Sequence, residues 1–206
     1  NGHLDIISRA SVMFDELIVA VVVAVCAIAL IAGCAPEGPK FKASDVTGSS
    51  FGRDFALTDH TGKPRTLADY RGKAVVVFFG YTQCPDVCPT SLLLMENAIE
   101  KLGPDAAKKV NLVFITIDPE RDTPALLKGY VTNFGPTFIG LTGTPQQIAD
   151  AARAYRVYFQ KVPGKDGGPY LMDHSSIVYL LDRNGRFVTH FTHEAKAEQI
   201  AAAVGK

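Results

Sequence analysis

One stretch restricts the fold of this chain more than any other. Ala74-Val75-Val76-Val77-Phe78-Phe79 is apolar at every position and rich in β-branched and aromatic residues. Such a run reads as a strand covered on both faces, the situation of a central strand in a sheet flanked by helices. Val110 to Ile117 reads as a second buried strand. Between them Leu92, Leu93, Met95, Ile99 and Leu102 recur at helical spacing, up to a stop at Gly103. Pro124 suits the first turn of a further helix, with Leu126, Leu127, Tyr130 and Val131 as its apolar stripe. Phe138 to Leu141 adds a short strand, and Pro145 to Tyr155 a helix with Thr144 as its N-cap. Ser176 to Leu181 and Arg186 to Phe191 are strands joined by Asp182-Arg183-Asn184-Gly185, whose Asn-Gly pair signals a hairpin. Glu194 to Val204 closes as a helix. Ahead of all this, Phe51 to Thr58 alternates apolar with polar, and Asp59-His60-Thr61-Gly62-Lys63 supplies turn residues. With Leu67 they predict an N-terminal hairpin and a short turn before Gly72.

A different kind of segment lies further upstream. Leu17 to Ala35 is a run of 19 residues without a charge. As a helix it would span about 28 Å, close to the hydrocarbon thickness of a bilayer. Two readings compete: an uncleaved transmembrane anchor, or a lipoprotein signal ending at Ile31-Ala32-Gly33-Cys34, which resembles the bacterial lipobox. Length favours the anchor. The flank disfavours the signal, because Arg9 stands against Asp5, Asp15 and Glu16 where a basic region is expected. Either would tether the downstream domain to a membrane. Bases near the two ends, Arg9 against Lys40 and Lys42, do not by themselves place that domain outside the cell. The chain thus divides into a flank (1–16), an anchor or signal (17–35), a Pro-, Gly- and Ser-rich linker (36–50) and one globular domain (51–206).

Charge excludes one class of partner. The chain carries 21 bases and 21 acids, and beyond residue 33 the balance is 20 against 18. Nucleic acid binding needs a concentrated basic face, which this composition lacks.

Cysteine carries the chemistry. Of four cysteines, Cys26 lies inside the apolar run and Cys34 belongs to the lipobox question. Cys84 and Cys88 fall together where a buried strand gives way to a helix. N–H groups at a helix start favour a thiolate over a thiol. Pro85 and Pro89 stiffen the turn where intrahelical bonds are absent anyway. Two sulfurs one helical turn apart can close a disulfide or grip one soft metal ion. A purely structural bridge is disfavoured, since such bridges usually tie distant segments together. This location and the order of elements predict a thioredoxin-like α/β domain. The spacing is one residue longer than the usual Cys-x-x-Cys redox motif. Peroxidase chemistry on this fold uses a threonine three residues before its reactive cysteine; Tyr81 and Pro85 stand there instead.

Three blocks then make the likeness specific: Gly80-Tyr81-Thr82-Gln83-Cys84-Pro85-Asp86-Val87-Cys88-Pro89, Thr116-Ile117-Asp118-Pro119-Glu120-Arg121-Asp122-Thr123-Pro124, and Asp173-His174-Ser175. In this order they resemble the signature blocks of the Sco/SenC family, over roughly residues 45–204. The resemblance implies a copper chaperone for the dinuclear copper centre of cytochrome c oxidase. It implies copper ligands at Cys84, Cys88 and His174, and a membrane-anchored domain facing the periplasm or the mitochondrial intermembrane space. Implied partners are the copper-bearing oxidase subunit and an upstream copper donor or thiol reductant. Soft thiolates select Cu(I), and imidazole suits Cu(I) and Cu(II) alike. The same two cysteines could instead act as a redox pair, reducing the oxidase's copper-site cysteines by thiol–disulfide exchange. A redox or copper sensor is a third reading.

Other candidates weigh less. His60, His190 and His193 read as turn, strand-end and loop histidines. Asp118, Arg121 and Asp122 follow the second buried strand, where α/β folds place their sites. They either tune the thiols or dock a partner, or else form a turn with a local ion pair. Asp86 either modulates the thiols or caps the helix.

Overall fold

The computed structural model describes residues 54–164 and 167–205. Residues 1–53, including the anchor or signal expected at 17–35, Cys26 and Cys34, lie outside the described residues. Among those described, no helix is long and apolar enough to cross a membrane.

The expected central strand is β3 (Ala74–Gly80), and the second is β4 (Val110–Thr116). They pair in parallel, with Gly80 opposite Thr116. β5 (Phe138–Thr142) adds a third parallel strand beside β4. β8 (Ile177–Leu181) runs antiparallel on the other side of β3, and β9 (Phe187–Thr192) pairs antiparallel with β8. The N-terminal hairpin, β1 (Ala56–Asp59) and β2 (Pro64–Thr66), joins the far edge through β1 and β5. The seven strands lie in the order β2-β1-β5-β4-β3-β8-β9. Val76, Val77, Phe78 and Phe79 are fully buried. Each contributes about 1.5–3 kcal/mol through the apolar surface it removes from water.

Helices cover both faces. α1 (Val87–Leu102) follows β3 and ends at Gly103, whose φ of +78° explains why a glycine stops it. A short helix not anticipated from the sequence, α2 (Pro104–Ala107), leads into β4. α3 (Pro124–Val131) starts with Pro124 in its first turn and Thr123 Oγ1 accepting the Leu126 N–H; α4 (Pro145–Ala154) is capped by Thr144 in the same manner. Leu127 and Val131 of α3 are buried, but Leu126, expected in the same stripe, is exposed. α5 (Ala197–Val204) begins three residues later than expected and packs on α1, with Lys101 and Glu198 paired at 2.9 Å. Phe78 and Gly80 face α1, whereas Phe79 turns to the opposite face and meets Tyr155 at 5.3 Å between ring centres.

One element outside this sheet matters most for function. β6 (Phe159–Val162) and β7 (Leu171–His174) form a separate two-stranded hairpin with Phe159 opposite His174. The sequence pattern predicts no strands here. Both strands are short and mostly exposed, so they lack the apolar signal that marks β3 and β4.

The carboxyl ends of β3 and β4 are stitched by a buried acid. Asp122 accepts hydrogen bonds from the Thr82 N–H (3.0 Å), the Thr82 hydroxyl (2.6 Å) and the Thr116 hydroxyl (2.6 Å). Burial pushes its carboxyl pKa upward. Asp122→Ala would strand three donors in the interior. We expect a loss of about 2–4 kcal/mol in unfolding free energy, read by urea denaturation; an unchanged midpoint would contradict the stitching role.

Candidate metal centre

β3 delivers the chain to Gly80 and stops. The next residues turn back through a hydrogen bond from the Cys84 N–H to the Tyr81 carbonyl (3.2 Å), and α1 begins at Val87. A helix start leaves N–H groups without intrahelical partners. Asp86 occupies the N-cap position, yet its side chain makes no capping bond. The Cys84 sulfur takes that part, accepting the Cys88 N–H at 3.4 Å. Cys88 Sγ lies under β3 because residue 80 has no side chain: a Cβ there would sit 2.7 Å from the sulfur.

His174 arrives from the end of β7. Its Nδ1 lies 3.1 Å from the Ser175 carbonyl oxygen. A carbonyl only accepts, so Nδ1 carries the proton in this bond, which leaves Nε2 as the nitrogen that a metal ion would take. Ser175 is itself held, its N–H donating to the Tyr158 carbonyl (3.0 Å) and its Oγ accepting the Tyr158 N–H (3.1 Å). The imidazole meets Phe78 and Tyr81 edge-on, at 6.2 and 5.8 Å between ring centres. Nε2 faces Cys88 Sγ at 3.6 Å. Cys84, Cys88 and His174 bring their donor atoms within 4.8 Å of one another. Residues 86 positions apart in sequence thus share one site.

The sulfurs are inequivalent. A hydrogen bond from the Cys88 thiol is the largest influence on Cys84. Helped by His174 and by the N–H groups of Asp86 and Cys88, it outweighs burial and lowers the Cys84 pKa to about 4. Cys88 moves the opposite way: burial pushes its thiol up, and the neighbouring Cys84 thiolate adds to the effect. The metal-free site therefore holds one thiolate, one thiol and one imidazole. This S,S,N donor set suits a soft or borderline metal ion, and the thiol pair alone suits disulfide exchange.

Of the other candidates, Asp118 and Arg121 form the expected turn-borne ion pair. Arg121 also reaches beyond the turn, to the Gln83 side chain (3.2 Å) and the Tyr170 carbonyl (2.9 Å). His60 is structural: its Nδ1 accepts the Gly140 N–H at 3.0 Å. His190 stacks on Phe187, and His193 is an exposed residue of the loop before α5. The sequence alone does not assign roles to Gly80, Tyr81 and Tyr170. A glycine closing an otherwise fully apolar strand is the available signal for the first. Tyr170 has none, since its partners lie 49 and 52 residues away.

Two measurements test this arrangement. Followed by thiolate absorbance near 240 nm, the reduced metal-free protein should lose one thiolate as pH falls through about 4. The second should not appear as pH rises through the ordinary thiol range, near 8.5. Two thiols titrating together near that value would contradict the shared hydrogen bond. Gly80→Ala should cost about 1–3 kcal/mol, because the added methyl meets a sulfur with no room to retreat; urea denaturation reads the loss.

Comparison with known proteins places this geometry. Residues 43–206 match the SCO1/SenC family model. Mouse "Protein SCO2 homolog, mitochondrial" is 44% identical over 153 residues, which cover 73% of this chain and 60% of the mouse protein. The chain thus spans less than two thirds of that relative's length. Among solved structures, Bradyrhizobium japonicum ScoI with copper bound is similar at 48% identity and a TM-score of 0.69, covering 75% of this chain and 98% of that one. Arabidopsis thaliana ScoI with copper bound is similar at 38% identity and a TM-score of 0.71, covering 75% and 95%. The fold is the thioredoxin-like α/β fold of these proteins, and the chain belongs to the SCO1/SenC family.

Proposed function

We propose that this protein is a copper metallochaperone that carries one copper ion between Cys84, Cys88 and His174 and delivers it to the dinuclear copper centre of cytochrome c oxidase. The observation that carries this reading is the convergence of two sulfurs and one imidazole nitrogen within 4.8 Å. The copper-bound relatives support the identity of the cargo. Two thiolates and a neutral imidazole give a net charge of −1 around Cu(I) and zero around Cu(II), so the same residues suit either state. Three ligands leave the ion open to a ligand from the recipient. Transfer then proceeds by ligand exchange, without a free ion. The recipient is the copper-bearing oxidase subunit, and loading comes from an upstream copper donor. The segment at 17–35 tethers the domain to the inner membrane, facing the periplasm or the mitochondrial intermembrane space; the mouse relative is named as mitochondrial.

A second reading is favoured by the inequality of the two thiols. Cys84 is the lower-pKa sulfur and is 9% exposed, whereas Cys88 is 0% exposed. In disulfide reduction, Cys84 thiolate would attack one sulfur of the recipient's disulfide, forming a mixed disulfide and expelling the other sulfur as thiolate. Cys88 would then give up its proton, which the thiolate expelled in the first step can take, and attack Cys84 Sγ. That step releases the recipient's second thiolate and leaves Cys84–Cys88 oxidised. An external thiol reductant restores the pair.

His174 separates the two readings, since exchange needs only the sulfurs. The reduced protein should take up one copper per chain from Cu(I) and from Cu(II), by metal analysis. His174→Ala should weaken copper binding at least about tenfold, or 1.4 kcal/mol, with thiol–disulfide exchange rates unchanged within about twofold. Unaltered copper affinity and spectrum in that variant would refute the three-ligand site.

A further inference from the structure

Arg121 sits in the turn after β4, yet most of what it touches belongs elsewhere. Its Nε pairs with Asp118 in the same turn. Its Nη1 donates to Gln83 Oε1 at 3.2 Å, one residue before Cys84, and to the Tyr170 carbonyl at 2.9 Å, four residues before His174. The guanidinium lies 3.7 Å from the centre of the Tyr170 ring and 5.7 Å from that of Tyr81. Its side chain is only 17% exposed, and Nη2 is buried without a hydrogen-bond partner. A solvent-facing ion pair has no need of that arrangement, because leaving a buried donor unsatisfied is costly. The turn, the cysteine loop and the β6–β7 hairpin therefore meet on one planar cation.

The hairpin has reason to need this anchor. It shares no strand pairing with the seven-stranded sheet, so His174 does not inherit its place from a ladder. Two flanking contacts join the same turn to the hairpin: the Tyr170 hydroxyl donates to Asp118 at 2.9 Å, and Lys161 Nζ pairs with Glu120 at 2.5 Å while lying 4.8 Å from the centre of the Tyr170 ring. The Tyr81 hydroxyl also bonds the Met172 backbone, and the Arg121 guanidinium lies over the Tyr81 ring.

We propose that Arg121 is a positioning residue, which fixes the His174-bearing hairpin against the Cys84 turn and so sets the distance from imidazole to sulfurs. Lysine cannot replace it. A single ammonium nitrogen cannot pair with Asp118 while a second nitrogen serves Gln83 and the Tyr170 carbonyl, and it has no planar face to lie on the Tyr170 ring. The effect on metal binding rests on the copper-carrier reading; the effect on the hairpin does not.

The test uses hydrogen exchange on the metal-free protein and copper affinity on the loaded one. In Arg121→Met, amides of residues 159–162 and 171–174 should exchange at least about tenfold faster, with β3 and β4 unchanged. Arg121→Lys should show the same hairpin-restricted signature. Copper affinity should fall at least about fivefold in Arg121→Met, and adding this change to His174→Ala should cause no further loss, since the arginine acts through that histidine. Unchanged exchange in the hairpin overturns the proposal. So do equal acceleration throughout the sheet in both variants, which would mark a purely structural residue, and additive losses of copper affinity in the double variant. A wild-type protein that fails to bind copper would sink the carrier reading, while the exchange result would still decide the role of Arg121.

Discussion

The parallel pairing of β3 with β4 is the constraint from which the site arises. Because both strands run the same way, their carboxyl ends open on one edge, at Gly80 and Thr116. β8 runs opposite to β3, so its amino end reaches the same edge. Three loops are thereby delivered together: the cysteine turn, the Asp118–Asp122 turn and the Ser175 segment behind His174. Open α/β sheets place their sites at such edges for this reason. Asp122 then closes the gap between the first two loops by accepting from both Thr82 and Thr116.

Within that frame the chemistry depends on exclusion as much as on attraction. Gly80 withholds a side chain so that Cys88 can lie beneath the strand, and Phe78 and Tyr81 wall the imidazole edge-on. Burial separates the two thiols into donor and acceptor instead of letting both ionise. A cation with two positive charges, or one with a strong preference for thiolate, would compensate two sulfur charges that the dry interior alone resists. The protein's contribution is to keep a donor set assembled that is stable with one proton in place and needs only that proton's departure to present two thiolates beside the imidazole.

Much of this fold is legible in the sequence, for identifiable reasons. β3 and β4 announce themselves because strands buried on both faces lack polar positions. The Gly103 stop, the Thr144 cap and the β8–β9 hairpin come from local backbone chemistry that short windows of sequence carry. In that hairpin only Gly185 adopts positive φ, while Asn184 does not. The dipeptide marks the turn, and the flanking strands choose its form. Cys84 and Cys88 can be assigned to a strand–helix junction by position. That His174 joins them rests, at the level of sequence, on resemblance to a family, since no local pattern encodes an encounter across 86 residues. The hairpin that carries it, and the Arg121–Tyr170 contact beside it, leave no trace in periodicity. Exposed strands and long-range cation–aromatic contacts are decided by tertiary context alone.

The separate hairpin has a consequence for how such a chain tolerates change. Since β6 and β7 pair as strands only with each other among the described residues, residues added or removed between Val162 and Tyr170 alter no register in the seven-stranded sheet and leave the Tyr170 anchor in place. The core and the cysteine turn would keep their geometry while the rim beside His174 changed length and character. The scaffold thus separates what must stay constant, a rigid pair of sulfurs, from a border that can be reshaped around them at little thermodynamic risk.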